Sequence, residues 1–212
     1  MKDPEGTTLG RKIISQGIPL MNETGFEDFT FKKLAAAIGT TEASIYRYFE
    51  NKHRLLIYIT NWFWTWMEYQ LIFQTNNIAA HDERIGIIIK LLTSQETNTS
   101  VSGQIEQQAI RQIAIVEGNK CYLNKQVRKD NVEMLFKPYE DLCHRIADMF
   151  LAYSPNYPFA KSLANTLIET AHRQQYFEEH LPPLTNFHSP NDAYKLADFL
   201  TNMVFASLDN LP

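Results

Sequence analysis

Residues 25–56 read GFEDFTFKKLAAAIGTTEASIYRYFENKHRLL. Two short helical patterns flank Gly39. In the first, residues 30–38, Thr30 stands where a side-chain oxygen can cap free backbone N–H groups. Phe31, Leu34, Ala35 and Ile38 recur there at helical spacing. Gly39 supplies a left-handed turn without a Cβ clash. Thr40 or Thr41 caps a second helix that runs to about Tyr48 and buries Ile45 and Phe49. Two short helices at a steep angle, joined by a turn containing Gly, form a helix-turn-helix. Ala35 and Ala36 are small enough for a close crossing. The second helix of such a unit enters the major groove of DNA, with its N-terminal residues toward the base edges. That makes Thr41, Glu42, Ala43, Ser44 and Arg47 the candidate contacts. Arg47 offers a bidentate fork to guanine O6 and N7; its other reading is a pair with Glu50 or with solvent. Glu42 either accepts from cytosine N4 or disfavours wrong sites. Thr30 can give a hydroxyl or a backbone N–H to a phosphate at its helix N-terminus.

GF followed by a Thr cap, LAAAIG at the turn, SIYRYFENK, and the Leu-rich run after Lys52 occur in that order. In these features the stretch resembles the N-terminal domain of the TetR/AcrR transcriptional regulators. The resemblance covers roughly the first 55 residues; beyond them only length and helical character match. It implies an all-α chain, with a three-helix DNA-binding domain at residues 1–54 and a helical ligand-binding and dimerisation domain at 55–212. It implies DNA contacts, often to phosphate, at Ser44, Tyr46, Tyr48 and Lys52. The chemistry agrees, because hydroxyls and an ammonium donate to phosphate oxygens and set register without reading sequence. Tyr48 has a second reading as core.

The net charge of −4 argues against a uniformly basic coat. Residues 1–54 carry 8 Lys and Arg against 7 Asp and Glu, and the remainder 12 against 17. A near-neutral N-terminal part on an acidic body suits a reader that does not coat DNA at random; chance explains the asymmetry as well. Cys121 and Cys143 make no disulfide framework and read as small buried hydrophobes in a reducing cytosol. The opening MKDPEGTTLG has no apolar signal core, and no apolar run is long enough to span a bilayer. The expected location is cytoplasmic, with no membrane partner.

Met1–Gly6 reads as a disordered arm, and Thr7 or Thr8 as the cap of a first helix to about Glu23. Gly17 and Pro19 predict a kink or break near residues 16–18, and Gly25 ends the helix. Phe26 and Phe29 plug the three-helix core. A fourth helix from about Asn51 carries WFWTWMEY and is apolar nearly all round, so it should be buried along much of its length. Its aromatics supply either core or a ligand-pocket wall; Trp62, Trp66, Tyr69 and Phe73, with Met134 and Tyr139 farther on, are the pocket candidates. Later helices are expected near 82–92, 104–117, 125–152 with a boundary at Pro138, 159–180 and 190–208. Residues 94–103 and LPPLTNFHSP read as connections. The resemblance implies a homodimer through the last two helices, about 159–180 and 190–208; packing within one subunit explains their apolar stripes almost as well.

Six histidines are scattered without a metal spacing, and His172 and His180, two turns apart, suit a surface or interface. No P-loop, G-x-S-x-G or G-x-G-x-x-G occurs. No enzyme activity, cofactor or metal is expected. The expected function is sequence-specific DNA binding by a repressor released by a small apolar or amphipathic ligand. The alternative is a DNA-binding protein controlled by a protein partner.

Overall fold

The computed structural model describes residues 2–94, 101–187 and 193–210, with backbone alone at 101–106 and 193. Every α-helix and one short 3-10 turn among them follow in chain order, with no strand. They are α1 (Thr8–Asp28), α2 (Phe31–Ile38), α3 (Glu42–Tyr46), α4 (Lys52–Thr75), α5 (His81–Thr93) and α6 (Val101–Glu117). There follow α7 (Asn119–Tyr122), α8 (Val127–Val132), α9 (Lys137–Tyr153), α10 (Ala160–His180) and α11 (Ala193–Asp209). The protein is all-α, as the sequence predicts. Residues 95–100 of the expected connection and 188–192, where the last helix was expected to begin, lie outside the described residues.

Packing groups the helices into two units. The first holds the chain up to Phe63 together with α6, α7 and α8. α1 packs on α2 and α6, and α2 on α3. The second holds α4 from Trp64, then α5 and α9–α11. There α9 packs on α10 and α5, and α11 on α5 and α10. Thus α6–α8, which the sequence reading groups with the regulatory body, pack beside the three N-terminal helices.

The core of the first unit is the apolar stripe of α1 (Ile13, Ile14, Ile18, Met21) against Phe29, Phe31, Leu34, Ile45, Leu55 and Leu56, each fully or almost fully buried. One expectation for α1 is corrected. The helix runs through residues 16–18 without a break. Pro19 is exposed, so the Ser15 carbonyl that loses its amide partner lies on the solvent side, and Gly17 packs against Leu34 and Leu55. The break comes at Gly25 (φ 72°, ψ 162°), a backbone setting that Gly adopts without strain. The N-terminal arm is also ordered: the Lys2 N–H donates to the Arg47 carbonyl at 3.0 Å.

The second unit is tied by polar bonds as well as by its core. The Arg145 guanidinium meets Glu68 at 2.8 Å, Gln175 Nε2 donates to the Leu92 carbonyl at 2.6 Å, and the Tyr153 hydroxyl donates to Asp209 at 2.9 Å. Pro138 stands in the first turn of α9, where its missing N–H costs no helical bond.

Candidate nucleic-acid interface

Local chemistry builds the helix-turn-helix. Thr30 takes an extended backbone and its Oγ1 accepts from the Lys33 N–H at 3.2 Å, starting α2. Gly39 stops it in the left-handed region (φ 69°, ψ 42°), and the Thr40 N–H returns to the Ala35 carbonyl at 2.9 Å. Thr41 then caps α3: its Oγ1 accepts from the Ser44 N–H at 3.3 Å and lies 3.1 Å from Ser44 Oγ. α3 is one turn and ends at Tyr46, shorter than the expected run to Tyr48. Beyond it the N–H groups of Tyr48 and Phe49 both donate to the Ile45 carbonyl.

Ile45 points inward with no exposed surface, so its neighbours on α3 face out. Thr30, Thr41, Ala43, Tyr46 and Arg47 are exposed, while Glu42 and Ser44 are half-buried. Tyr46 leans its ring edge on Phe31, 5.1 Å between centroids, and keeps half its surface open. Arg47 does not pair with Glu50, whose carboxylate turns instead to Arg54 at 3.7 Å. Tyr48 is 5% exposed and its hydroxyl meets Thr7 Oγ1 at 2.8 Å, so the core reading describes its ring. Lys52 is held by the fold: its Nζ donates to the Phe26 and Glu27 carbonyls at 2.7 and 2.8 Å and lies 4.6 Å from the Phe26 ring centre.

Those carbonyls belong to a corner that the sequence reading missed. Gly25 breaks α1 and leaves the Phe26 N–H pointing out of the helix. The buried Glu117 carboxylate at the end of α6 accepts it at 2.8 Å. Lys120 bridges Glu117 and Glu27 at 2.8 and 2.9 Å. The hydrogen bond from Lys120 lowers the Glu27 pKa. Burial alone would depress the Lys120 pKa, but the bonds to Glu117 and Glu27 outweigh it and the net direction is up. A second polar knot holds the start of α4. Asp130 of α8 is fully buried, 3.3 Å from Arg54 and 3.3 Å from His53, and Arg54 also meets Glu133 at 2.8 Å. No sequence signal announced either knot, because each joins residues that lie far apart in the chain.

The residues expected to wall a pocket are scattered. Trp62 is half-buried against Tyr58, and Met134 is 63% exposed with φ 56°; both lie in the first unit. In the second unit Trp66 is half-buried, whereas Tyr69 and Phe73 stack on each other at 6.3 Å and are 61% and 71% exposed. As expected, α4 is buried along much of its length, but beyond Ile59 its buried side narrows to one stripe. Its buried stripe is Thr60, Phe63, Trp64, Met67, Leu71 and Thr75, and Tyr69 and Phe73 fall on the opposite face. Tyr139 packs on Trp64 at 4.6 Å, donates its hydroxyl to Glu169 at 3.1 Å and accepts from Asn165 at 2.7 Å. Trp64 also stacks on His172 at 5.4 Å, and His172 is buried in the core, not at the surface as expected. Heptad spacing from Thr60 through Met67 could have singled out Trp64 over its neighbours. A cleft of about 310 Å³ in the second unit is lined by Ile72, Thr75, Arg84, Arg145, Asp148 and Met149, none of them a predicted pocket residue. Among the described residues no group of His, Cys, Asp and Glu side chains could hold a metal ion, and no helix is long and apolar enough to cross a membrane.

The described geometry has counterparts among known proteins. Residues 13–59 match the family model for bacterial regulatory proteins of the tetR family. The fold resembles that of the fatty acid degradation regulator FadR from Bacillus halodurans (TM-score 0.60, 13% identity, 90% of this chain and 93% of that one). It also resembles AibR solved with isovaleryl coenzyme A and operator DNA (TM-score 0.59, 18% identity, 92% and 97%) and apo AibR (0.52, 16%, 91% and 96%). No curated protein sequence matches the chain. Residues 13–59 thus carry a helix-turn-helix of the tetR-family type, on a chain whose fold resembles these solved structures.

Proposed function

We propose that the protein is a cytoplasmic, homodimeric repressor that leaves its operator when a small amphipathic ligand binds the helical body. The reader is assigned to residues 1–54 and regulation to 55–212. The observation that carries DNA reading is the outer face of α3 and its following turn, with Thr41, Ala43, Tyr46 and Arg47 exposed over a buried Ile45. Tyr46 and Thr30 donate to phosphate oxygens, and Ser44 and Lys52 join them once DNA competes for their present partners. Arg47 and Glu42 read base edges, by a fork to guanine and by acceptance from cytosine N4. Tyr48 anchors the turn from within.

Dimerisation through α10 and α11 is supported by apolar surface left open on α11, where Tyr194 is 61% and Phe199 44% exposed. Two-fold pairing presents two recognition helices to half-sites one helical turn apart, about 34–36 Å or a multiple. A ligand is supported by two fold neighbours, one described as a fatty acid degradation regulator and the other bound to isovaleryl coenzyme A. An acyl chain with a polar head is the ligand class this suggests. In the second unit Trp64 and Tyr139 present aromatic surface beside polar atoms of Glu169 and Asn165. α4 runs unbroken from the reader into that unit, so a ligand that prefers one setting of α4 shifts operator affinity by its differential affinity for the two states.

The test is nuclease protection of fragments flanking the protein's own coding region, titrated with salt and then with acyl-coenzyme A compounds of increasing chain length. Two-fold-symmetric protection that weakens with salt and is relieved by an acyl compound is expected. Operator affinity unchanged by any saturating acyl compound would overturn the ligand arm. A second reading, control by a protein partner, is favoured by the exposed Tyr69–Phe73 stack on α4. Loss of regulation in cells on replacing Tyr69 and Phe73, with operator binding in vitro intact, would select it.

A further inference from the structure

We propose that the N-terminal arm, Lys2–Thr7, is a working part of the DNA reader. It clamps the turn that carries Arg47 and brings Lys2 to the DNA as an additional phosphate contact. The inference rests on the DNA-binding reading above.

α3 is only five residues long, and the turn after it has few bonds of its own. A helix this short has little intrinsic stability, so the setting of Arg47 depends on outside ties. The arm supplies two. The Lys2 N–H donates to the Arg47 carbonyl at 3.0 Å, and Thr7 Oγ1 meets the Tyr48 hydroxyl at 2.8 Å. The arm is itself fastened to the helices behind it. Arg11 donates to the Glu5 carbonyl at 2.7 Å, and the Tyr58 hydroxyl donates to the Glu5 carboxylate at 2.6 Å.

Gly10 makes the seat. A Cβ there would lie 2.1 Å from the Pro4 carbonyl oxygen and 2.6 Å from its Cα. Only hydrogen at this position lets the arm lie flat on the first turn of α1. Gly10 is buried within a helix, where it is otherwise a poor choice.

Charge placement tells the outcome. The arm carries two acids: Asp3 accepts from the Glu5 N–H within the arm at 2.9 Å, and Glu5 accepts from Tyr58 of the fold behind it at 2.6 Å. Lys2 is exposed and its backbone is bonded to that of Arg47, which is exposed on the reading face. The arm therefore offers one cation next to the base-reading arginine. A cation beside a groove-reading element is a phosphate contact.

The experiment uses the full-length protein and duplexes selected by it from a random pool, with operator affinity measured from about 50 to 300 mM salt. Lys2→Gln removes the cation and leaves the backbone tie. It should weaken binding several-fold at low salt and flatten the slope of log K against log salt by about 0.9, the contribution of one phosphate contact. Gly10→Ala raises helix propensity but forces the arm off its seat. It should flatten the slope equally and weaken binding further, because Arg47 also loses its clamp. The double variant should show no additional loss of slope. Circular dichroism and thermal unfolding establish that each variant folds. Wild-type slopes in both folded variants would overturn the proposal; if Gly10→Ala does not fold, an unchanged slope for Lys2→Gln does so alone. Failure of the wild-type protein to select any duplex would strike the DNA-binding reading instead.

Discussion

The Glu117 carboxylate accepts the Phe26 backbone N–H at 2.8 Å across 91 residues of sequence. The bond supplies a partner to the donor that Gly25 turns out of α1, and it sits on the corner whose carbonyls hold Lys52. Glu117→Ala leaves that part-buried N–H unpaired, at a cost of about 1 kcal/mol. Glu117→Gln keeps an oxygen acceptor and should recover most of the loss. Urea unfolding of the two variants decides; equal destabilisation would show that the charge on Lys120, not the bond to Phe26, is what matters.

Asp130 is the fully buried anion between Arg54 and His53. Asp130→Asn strands the Arg54 guanidinium, itself 7% exposed, with the partly exposed Glu133 and Glu50 as remaining partners. Breaking a buried pair on one side costs about 3–5 kcal/mol. The shift in urea midpoint at constant slope measures it, and a change under about 1 kcal/mol would mean that the pair adds nothing net.

Tyr46→Phe separates reading from folding. The ring keeps its edge contact with Phe31, so thermal stability should stay at the wild-type value. The lost hydroxyl removes one hydrogen bond to a phosphate, about tenfold in operator affinity for a bond to a charged group. Because no cation is lost, the salt slope should be unchanged, in contrast to Lys2→Gln. An unaltered affinity would place Tyr46 outside the contact.

Burial pushes the Cys121 thiol up to about 12 and the Cys143 thiol up to about 11. Both stay protonated in the folded protein at pH values where an unfolded chain has begun to ionise them. The folded state then binds more protons than the unfolded one, and stability falls as pH rises from about 9, by at most about 1.4 kcal/mol per pH unit for each thiol. Urea melts at pH 8 and pH 10 should show the loss, and Cys121→Ala should reduce it. Alkylation at pH 8 should leave native Cys121 unmodified.

Gly39 has no neighbour within 4 Å of where a Cβ would stand, so a side chain there meets a backbone penalty and no steric one. Gly39→Ala should cost about 1–2 kcal/mol through φ 69° alone. Gly39→Asn should cost less, since Asn tolerates that region. Urea unfolding measures both, and equal losses would mean that the left-handed backbone at residue 39 is not the source of the cost.

What the sequence determined by itself is local. Caps at Thr30 and Thr41, the left-handed Gly39 between them and the 3–4 spacing of Phe31, Leu34, Ala35 and Ile38 act within a few residues, so they can be read without knowing the rest. The same holds for the helix boundary at Pro138. Tertiary structure decided what distance in the chain hides. An apolar helix such as α4 shows aromatic residues on every side; the spacing of Thr60, Trp64 and Met67 marks one stripe, but only packing decides that this stripe is buried while Tyr69 and Phe73 stay open. Pro19 stays in a continuous helix because its open face lets water serve the freed carbonyl. The polar knots at Glu117 and Asp130, and the arm that seats on Gly10 to reach Arg47, join residues whose pairing has no local signature, since a carboxylate is charged wherever it stands and only packing selects its partner.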